Sequence, residues 1–499
     1  MRLILDVLNA WDQNLYPGLY AQGHGTRCAQ VCLARKELNM DRNSAGRIHQ
    51  TSLALLEAPG VRIEHDRIVK MLIKAGARAG LSPQVVCFPP ELVMECVELA
   101  PSAVQLADRR QGTHTVTPEG VSQIWSAPGM NMLRHGEHRP FTSSDMADMA
   151  RLVEQLPRVD GVFGMSMEDI PPAARDVVGL RIMAENTTKH IRVLSFTPDG
   201  ADAVCEMRDV VEDSPWFSMG FTAHGPLRWT HLALEIFVRS AKKGIPVTIN
   251  GEPMAGISGP VTLAGAAAVG NAEILAGLVV NQLLEPARPC VYNLGLAHIF
   301  DMRTAIAVTG APENHLLADI SSAMGRFYDI PSSSWVSTES MCIDGQAALE
   351  KSIGFFTHLQ SRVSLIWGVG QLESEMTISP AQAVIDNEIL GYARRFLKGV
   401  DVTEQTLAVD VTRDVGIAGD YLSHEHTLEH FRTEFFEPSV LLRRKRNAWK
   451  SEGSKSLQEV AEARADELIA KPLPRTLTDE QSTALRKIEE SFVKKIENR

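Results

Sequence analysis

Residues 245–293 contain the pattern that decides the fold, because they place an apolar helix between two short apolar strands. The first predicted strand reads Ile245-Pro-Val-Thr-Ile-Asn250, and the second reads Pro289-Cys-Val-Tyr-Asn293. The stretch between them, from Gly259 to Leu284, is long and mostly apolar, as expected of a helix buried in a large protein. Strands that alternate with helices form βαβ units with a parallel sheet. This segment therefore predicts an α/β fold.

The same alternation extends in both directions along the chain. Seven apolar runs of strand type begin at residues 161, 191, 216, 245, 289, 330 and 363, and helical stretches separate them. Seven such units match a TIM (β/α)8 barrel of about 250 residues better than an open, doubly wound sheet. The dinucleotide-binding alternative lacks both GxGxxG between a strand and a helix and GxxxxGK[ST]. The eighth strand comes either from the region before residue 140 or from Thr406 to Val411.

The segments on either side of the barrel are predicted to be mainly helical. Helical spacing and a proline-led helix start lie within residues 48–100, and turn-forming residues follow over 112–140. Near the other end, Thr478 begins a final helix with a capping box. We therefore predict an N-terminal helical cap with a small β element at 1–140, the barrel at 141–440, and C-terminal helices at 441–499.

Composition limits the possible partners and location. The 499 residues carry 61 acidic and 50 basic side chains, a net charge of −11, which argues against affinity for nucleic acid or anionic membrane. Asp6 interrupts the apolar run at the N-terminus, and Glu273 interrupts the longest apolar stretch, so neither reads as a signal peptide or a membrane span. Seven scattered cysteines are typical of reduced thiols. We expect a soluble cytoplasmic protein without nucleic acid or membrane partners.

Candidate site residues follow from the barrel, because the active site of this fold lies at the carboxyl ends of the strands. Aromatic rings and carboxylates recur at these positions. Such a combination suits a cationic, methylated ligand, since aromatic faces attract quaternary ammonium groups. Each ring taken singly also fits ordinary core packing. The candidates are Phe221, His224, Arg228, Asn250, Glu252, Tyr292, Trp335, Trp367 and Gln371.

Metal and nucleophile chemistry have weaker support. His424, His426 and His430 have ligand-like spacing, but they lie beyond the seventh strand at a predicted helix start and have no cysteine nearby. A solvated helix start is the favoured interpretation, and a metal hydrolase is the alternative. The nucleophile motif GxSxG is absent. We predict no metal site.

Four blocks of sequence resemble one known family. They are Pro253-Met-Ala-Gly-Ile-Ser-Gly-Pro-Val-Thr-Leu-Ala-Gly265, Asn271-Ala-Glu-Ile-Leu-Ala-Gly277, Asp344-Gly-Gln-Ala-Ala-Leu-Glu-Lys351 and His426-Thr-Leu-Glu-His-Phe-Arg-Thr-Glu-Phe435. With these blocks the chain resembles the trimethylamine methyltransferase family of corrinoid-dependent methyltransferases over residues 45–470. The resemblance implies a TIM barrel that passes a methyl group from a methylated amine to the Co(I) corrinoid of a partner protein, with no cofactor bound tightly by the barrel itself.

The resemblance also bears on the substrate. The founding trimethylamine enzymes carry pyrrolysine in the barrel, whereas residues 330–339 of this sequence are all ordinary amino acids. The chain is therefore similar to the pyrrolysine-lacking relatives that use quaternary amines such as glycine betaine. A quaternary nitrogen already has a good leaving group, so the protein's task reduces to positioning one N-methyl group toward cobalt.

On this basis each candidate receives an expected role. Trp335, Trp367 and Tyr292 surround the ammonium, with Phe221 as a further wall. Glu252 complements the cation, while Asn250, Arg228, His224 or Gln371 orient the remainder of the substrate. The alternatives are trimethylamine as the substrate and, in another class, a ligand-binding barrel without turnover. A homo-oligomer is possible, because the terminal helices and the Gly259–Leu284 helix suit subunit contacts as well as internal packing.

Overall fold

Eight parallel strands form a closed barrel in the computed structural model, which describes residues 40–110, 112–211 and 215–498. The strands follow one another around the barrel in chain order, and the last pairs with the first. This architecture confirms the predicted TIM barrel. The strands are β1 (Gln123–Ser126), β2 (Gly161–Phe163), β3 (His190–Arg192), β4 (Phe217–Thr222), β5 (Val247–Asn250), β6 (Cys290–Gly295), β7 (Ser332–Trp335) and β8 (Leu365–Val369).

One long helix follows each strand and packs outside the barrel. Seven of the eight strands lie where the apolar runs predict them. The helices are α1 (Ser143–Gln155), α2 (Arg175–Asn186), α3 (Pro198–Arg208), α4 (His231–Ser240), α5 (Leu263–Leu284), α6 (Pro312–Tyr328), α7 (Gly345–Gln360) and α8 (Pro380–Lys398).

The eighth strand is β1, which comes from the region before residue 140. It pairs with β8 on one side and with β2 on the other, as Trp125 lies opposite Trp367 and Gly161. The other option is wrong, because residues 406–411 belong to the short helices Glu404–Leu407 and Val409–Val415. A strand of the barrel therefore lies on the N-terminal side of the boundary expected at residue 140.

The N-terminal segment covers α5. The helices Arg42–Glu57 and Pro90–Leu99 pack against it, so most of its surface is removed from solvent. This packing explains why α5 is apolar all round. Among the described helices, α5 alone is long and apolar enough to cross a membrane, but its most apolar window is 83% buried inside the fold. The first 39 residues, in which we predict no targeting signal, lie outside the described residues.

A β-hairpin closes the amino end of the barrel. Its strands are Val104–Ala107 and Thr113–Val116. Side chains from both strands join the same buried apolar cluster as Trp125 and Trp335 inside the barrel. His190, the first residue of β3, contacts the carbonyl oxygen of Ala107 through Nδ1 at 3.0 Å. The barrel interior is therefore plugged at this end.

The remaining elements surround this barrel. Small strands form three additional sheets, and Leu457–Ala470 packs on α1 and α8, while Asp479–Glu497 packs on α2 and α3. The small strands are Val61–Ile63, Arg78–Ala79, Val85–Cys87, Arg228–Trp229, Asn131–Arg134, Glu137–Pro140, Gln371–Leu372, Thr377–Ile378, Met254–Ala255, His298–Asp301 and Ile306–Val308. The other helices are Asp66–Lys74, the 3-10 turn Pro172–Ala174, Glu425–Glu434 and Arg446–Ser451.

Candidate active site at the barrel mouth

A cavity of about 650 Å³ opens at the carboxyl ends of the strands, and we call it the mouth cavity. Its wall comes from the ends of β2 to β5 and β8 and from the loops that follow β1, β3 to β6 and β8. The volume is typical of a site for a small ligand. The aromatic, polar and charged residues of its wall are Phe163, Arg192, Ser195, Phe196, Phe221, Thr222, His224, Thr230, Asn250, Glu252, Trp367 and Glu375.

Two of the aromatic rings in the wall of the mouth cavity stack on each other. The rings of Phe163 and Trp367 lie 4.7 Å apart, centroid to centroid, at an interplanar angle of 16°. Trp335 and Trp125 occupy the neighbouring register positions on either side of Trp367. Both belong to the buried cluster that contains Trp367, but neither lines the cavity. Trp335 therefore supports the wall from behind and is not itself part of it.

Two carboxylates with raised pKa values face the mouth cavity. Burial raises the pKa of Glu252 to about 7. Burial and the proximity of Glu252 raise the pKa of Glu375 to about 8. Glu375 lies in a loop in which three consecutive residues, 373–375, have φ values of 54°, 48° and 73°. Non-glycine residues rarely adopt this conformation, so the loop is strained in a way that is common near functional sites.

A third acidic group lies behind Glu252. The Glu273 carboxylate on α5 accepts a hydrogen bond from the backbone N–H of Leu227 at 2.8 Å, while its other oxygen has no partner within the described residues. Burial, with a smaller contribution from Glu252, raises the pKa of Glu273 to about 7. Because three acidic groups are desolvated in one region, the side of the cavity near Glu252 favours a cation.

A chain of amides fixes Asn250 at the mouth. Its Nδ2 donates to the Thr222 hydroxyl at 3.0 Å, and its Oδ1 accepts from Nδ2 of Asn293 at 2.9 Å. Thr222 ends β4, Asn250 ends β5, and Asn293 lies two residues before the end of β6. The amide of Asn250 is therefore held in one orientation at the wall of the cavity.

Tyr292 lies outside the mouth cavity, which corrects its expected role as an ammonium wall. Its hydroxyl donates to Oδ1 of Asn271 on α5 at 2.9 Å, and burial raises its pKa well above the ordinary value. The reason is the alternation of a strand. Asn293 reaches the neighbouring strand ends, so Tyr292, one residue earlier, points to the opposite face, toward the helices.

Arg228 and Gln371 also lie outside the wall of the mouth cavity. Arg228 belongs to the small sheet that joins Val61–Ile63, and its guanidinium binds both carboxylate oxygens of Glu64 at 2.8 and 3.1 Å. Its expected role in orienting the substrate is therefore corrected. Gln371 is fully buried beside β8, and neither polar atom of its amide has a partner within the described residues.

Phe221 and His224 take peripheral positions at the mouth cavity. The ring of Phe221 stacks on Phe237 of α4 at a centroid distance of 4.0 Å, so only part of it contributes to the wall. His224 is exposed, and its Nδ1 lies 3.1 Å from the carbonyl oxygen of Thr222. Trp367, Asn250 and Glu252 are therefore the candidates that the fold brings fully to the cavity, together with these two at its edge.

Arg192 is a charged wall residue that was not among the candidates from the sequence. It ends β3, only 4% of its surface is exposed, and its guanidinium carbon lies 5.4 Å from the centroid of the Phe163 ring. Its Nη1 donates to the carbonyl oxygen of Val193 at 3.0 Å. Burial lowers its pKa to about 9. An arginine within the apolar run that starts at Ile191 was the available signal, because a charge in a barrel strand requires a reason.

The three histidines of the metal alternative lie at the surface. His424 is the N-cap of Glu425–Glu434, where its Nδ1 accepts from the backbone N–H of His426 at 3.1 Å. The rings of His426 and His430 are 4.5 Å apart. Within residues 40–110, 112–211 and 215–498, no group of three or more His, Cys, Asp or Glu side chains is arranged to hold a metal ion.

The fold and the mouth cavity together define a class: a TIM barrel whose candidate site at the strand ends combines aromatic rings with carboxylates. Comparison with known proteins identifies the family. The model of the trimethylamine methyltransferase family (MTTB) matches residues 28–497, so the chain belongs to this family of methyltransferases. This confirms the family assignment that was made from the four sequence blocks.

Two relatives that match by sequence support the same assignment. The trimethylamine methyltransferase MttB of Desulfitobacterium hafniense is 30% identical over 458 residues, which cover 89% of this chain and 91% of that protein. A glycine betaine methyltransferase of Desulfitobacterium hafniense is 26% identical, with coverage of 88% and 94%. The crystal structure of the Methanosarcina barkeri monomethylamine methyltransferase MtmB aligns with 14% identity, coverage of 90% and 92%, and a TM-score of 0.45.

Proposed function

We propose that this protein transfers a methyl group from a quaternary methylated amine to the corrinoid of a separate partner protein. The observation that carries the proposal is the pairing, in one cavity, of an aromatic face with two carboxylates. Trp367 and Phe163 supply the face, and Glu252 and Glu375 supply the charge.

A quaternary ammonium group fits these residues for a simple reason. It has no N–H to donate, so it is recognised by the faces of aromatic rings and by nearby negative charge. Glu252 and Glu375 are each partly protonated at neutral pH, because their pKa values are about 7 and 8. An entering cation favours their ionised forms and is stabilised by them.

The corrinoid is treated as part of the partner protein. Its reduced cobalt supplies the nucleophile that accepts the methyl group. The mouth cavity, at about 650 Å³, is sized for a small amine, and it opens at the strand ends, where a larger group carried by a partner has access. The residues of this chain therefore bind the amine, orient one N-methyl group toward the opening and exclude water, which accounts for a large share of the rate acceleration.

The relatives support two substrates. Similarity to the relative named glycine betaine methyltransferase supports a quaternary amine as the substrate. Similarity to the relatives named trimethylamine methyltransferase, one of them 30% identical, supports a tertiary amine. The ordinary side chains at residues 330–339 favour the quaternary amine, because that chemistry needs no special activating residue. Trimethylamine is therefore the second candidate.

A cobalt assay distinguishes the candidates. The protein is mixed with a reduced corrinoid protein and one amine at a time from glycine betaine, choline, trimethylamine and dimethylamine, and methyl-Co(III) is followed by its absorbance. Formation from a quaternary amine supports the proposal, and formation from trimethylamine alone favours the second candidate. If no methylated amine yields methyl-Co(III), the barrel is a binding protein and the proposal fails.

We also propose that the protein is cytoplasmic and forms a homo-oligomer. A cytoplasmic location fits the acidic, cysteine-poor composition. A homo-oligomer fits the exposed apolar side chains along α7 and α8, among them Leu349, Ile353, Tyr392 and Phe396. Analytical ultracentrifugation of the purified chain tests the second point, and a sedimentation coefficient of a monomer at micromolar concentration would contradict it.

A further inference from the structure

The mouth cavity contains opposite charges that do not neutralise each other. No ion pair joins Arg192 to any carboxylate of the described residues, and burial is the only cause of its lowered pKa. Likewise, no cation of the described residues offsets the raised pKa of Glu252 or of Glu375. A desolvated charge that lacks a counter-ion is costly, so the arrangement calls for a ligand that supplies one.

Hydrogen-bond donors without acceptors accompany Arg192. The hydroxyl of Ser195, three residues further along the same strand end, is buried and has no partner within the described chain. The same is true of the indole N–H of Trp367. Arg192 lies over the ring of Phe163, which in turn stacks on Trp367. Buried polar groups are almost always satisfied in proteins, so unpaired donors on two residues that line the cavity are candidates to bind an acceptor after a small side-chain movement.

The fold makes room for the guanidinium at this position. A Cβ atom on Gly220 of β4 would lie 1.5 Å from Nη2 of Arg192. No side chain larger than hydrogen is compatible with the observed placement of Arg192. Gly220 therefore keeps the guanidinium inside the barrel mouth, where it lines the cavity.

We propose that Arg192, together with Ser195 and Trp367, forms an anion-binding subsite that holds a carboxylate of the substrate, so that the substrate is a zwitterion with a methylated ammonium and a carboxylate. This deepens, and rests on, the proposed function, in which the same cavity receives the ammonium. Glu252 and Glu375 face the ammonium, and Arg192 faces the carboxylate. Guanidinium groups bind carboxylates through two parallel hydrogen bonds, which also fixes the orientation of the bound molecule.

The subsite is tested by calorimetric titration of the full-length protein with three probes. Glycine betaine carries the carboxylate, while glycine betaine methyl ester and choline keep the ammonium and lack the carboxylate. We expect the wild-type protein to bind glycine betaine at least ~10-fold more tightly than the other two. For Arg192→Met we expect the affinity for glycine betaine to fall by roughly 100-fold and the affinity for choline to fall by less than about 3-fold.

Three further variants separate the subsite from a general structural role. Gly220→Ala keeps the charge of Arg192 but displaces its guanidinium. The affinity for glycine betaine should therefore fall by about 10-fold, and the affinity for choline should not change. Arg362→Met removes an exposed arginine at the opposite end of the barrel, which pairs with Glu119. It should change neither affinity. Arg192→Lys, which retains the charge without the planar fork, should recover part of the loss.

The outcomes also separate this inference from the proposed function. Three results would overturn the subsite. The wild-type protein could bind glycine betaine and its ester with equal affinity, or it could bind none of the three probes. In Arg192→Met, the affinity for all three probes could fall equally. Methylation of cobalt from choline but not from glycine betaine would retain the proposed function and reject the subsite. Selective binding of glycine betaine through Arg192 without methylation of any corrinoid would retain the subsite and reject the proposed function.

Discussion

Nζ of Lys351 on α7 lies 3.0 Å from a carboxylate oxygen of Asp386 on α8, and both side chains are fully removed from solvent. Nζ also donates to the carbonyl oxygens of Gly368 and Gln371, and Asp386 accepts from the backbone N–H of Gly370 at 2.8 Å. The pair therefore holds the turn that follows Trp367. This turn leads directly into the strained loop that carries Glu375.

Removal of one partner should destabilise the protein strongly. In Lys351→Met, Asp386 is left buried without a counter-ion, and we expect the free energy of unfolding to fall by about 3–5 kcal/mol. Urea denaturation monitored by circular dichroism measures the change. The double variant Lys351→Met/Asp386→Leu should recover much of the loss, because no uncompensated charge remains. A single variant as stable as the wild-type protein would show that the pair is dispensable.

The aromatic wall predicts which ring matters for binding. Trp367→Ala should raise KM for a quaternary amine by about 10-fold, as expected for the loss of roughly 1–2 kcal/mol of cation–π attraction. Trp449→Ala, in the C-terminal helix Arg446–Ser451, is the matched control and should leave KM unchanged. Equal KM values for Trp367→Ala and the wild-type protein would remove Trp367 from the site.

For Tyr292 we predict an effect on stability and none on substrate binding. Its hydroxyl donates to Asn271 and faces the helices, so Tyr292→Phe should lower stability by about 1 kcal/mol and leave KM unchanged. Thermal unfolding and methyl-transfer kinetics measure the two quantities. An increase in KM without a loss of stability would return Tyr292 to the substrate site.

Binding of the cation should strengthen as pH rises. Glu252 and Glu375 have pKa values of about 7 and 8, and their ionised forms attract the ammonium. The dissociation constant for choline should therefore decrease between pH 6 and pH 9 and then level off. The variant Glu252→Gln/Glu375→Gln should bind choline weakly and with little dependence on pH. A wild-type affinity that is constant over this range would contradict the assignment.

The stability of the folded protein should decrease as pH rises, because of the same carboxyl group Glu252. Folding raises the pKa of Glu252 from 4.5 to about 7, so the native state holds this proton more tightly than the unfolded chain. The contribution of this group to stability is complete below pH 4.5 and is lost as pH rises through 7. Glu252→Gln should consequently raise the melting temperature by a few degrees at pH 8, and the two proteins should converge near pH 5. Differential scanning calorimetry at both pH values provides the comparison.

The sequence predicted the barrel well because its strands and helices alternate at a spacing that few other folds share. It predicted β1 only as one of two options, because Gln123–Ser126 is four residues long and is flanked by turns. Trp367, Asn250 and Glu252 were predicted from their places at strand ends, and the structure places all three in the wall of the mouth cavity. Tyr292 was misplaced because a strand end indicates the edge of the sheet but not which face a side chain takes.

Arg192 and Glu375 were missed for different reasons. Arg192 lies inside a predicted apolar strand, where an arginine reads as an irregularity until Gly220 is seen to make room for it. Glu375 lies eight positions beyond Trp367 in the chain, and it lines the cavity from a loop in which residues 373–375 have the left-handed conformation. Both depend on contacts between segments that are distant in sequence, and no local pattern records them.

The hairpin at the amino end of the barrel fills that end of its interior, so among the described residues the mouth cavity opens on the side of the carboxyl ends of the strands. In the proposed function, the amine and the corrinoid partner approach the cavity from this same side. Loading of the amine would then have to precede docking, and the demethylated product would leave after the partner withdraws. The lifetime of the two-protein complex would set the turnover rate.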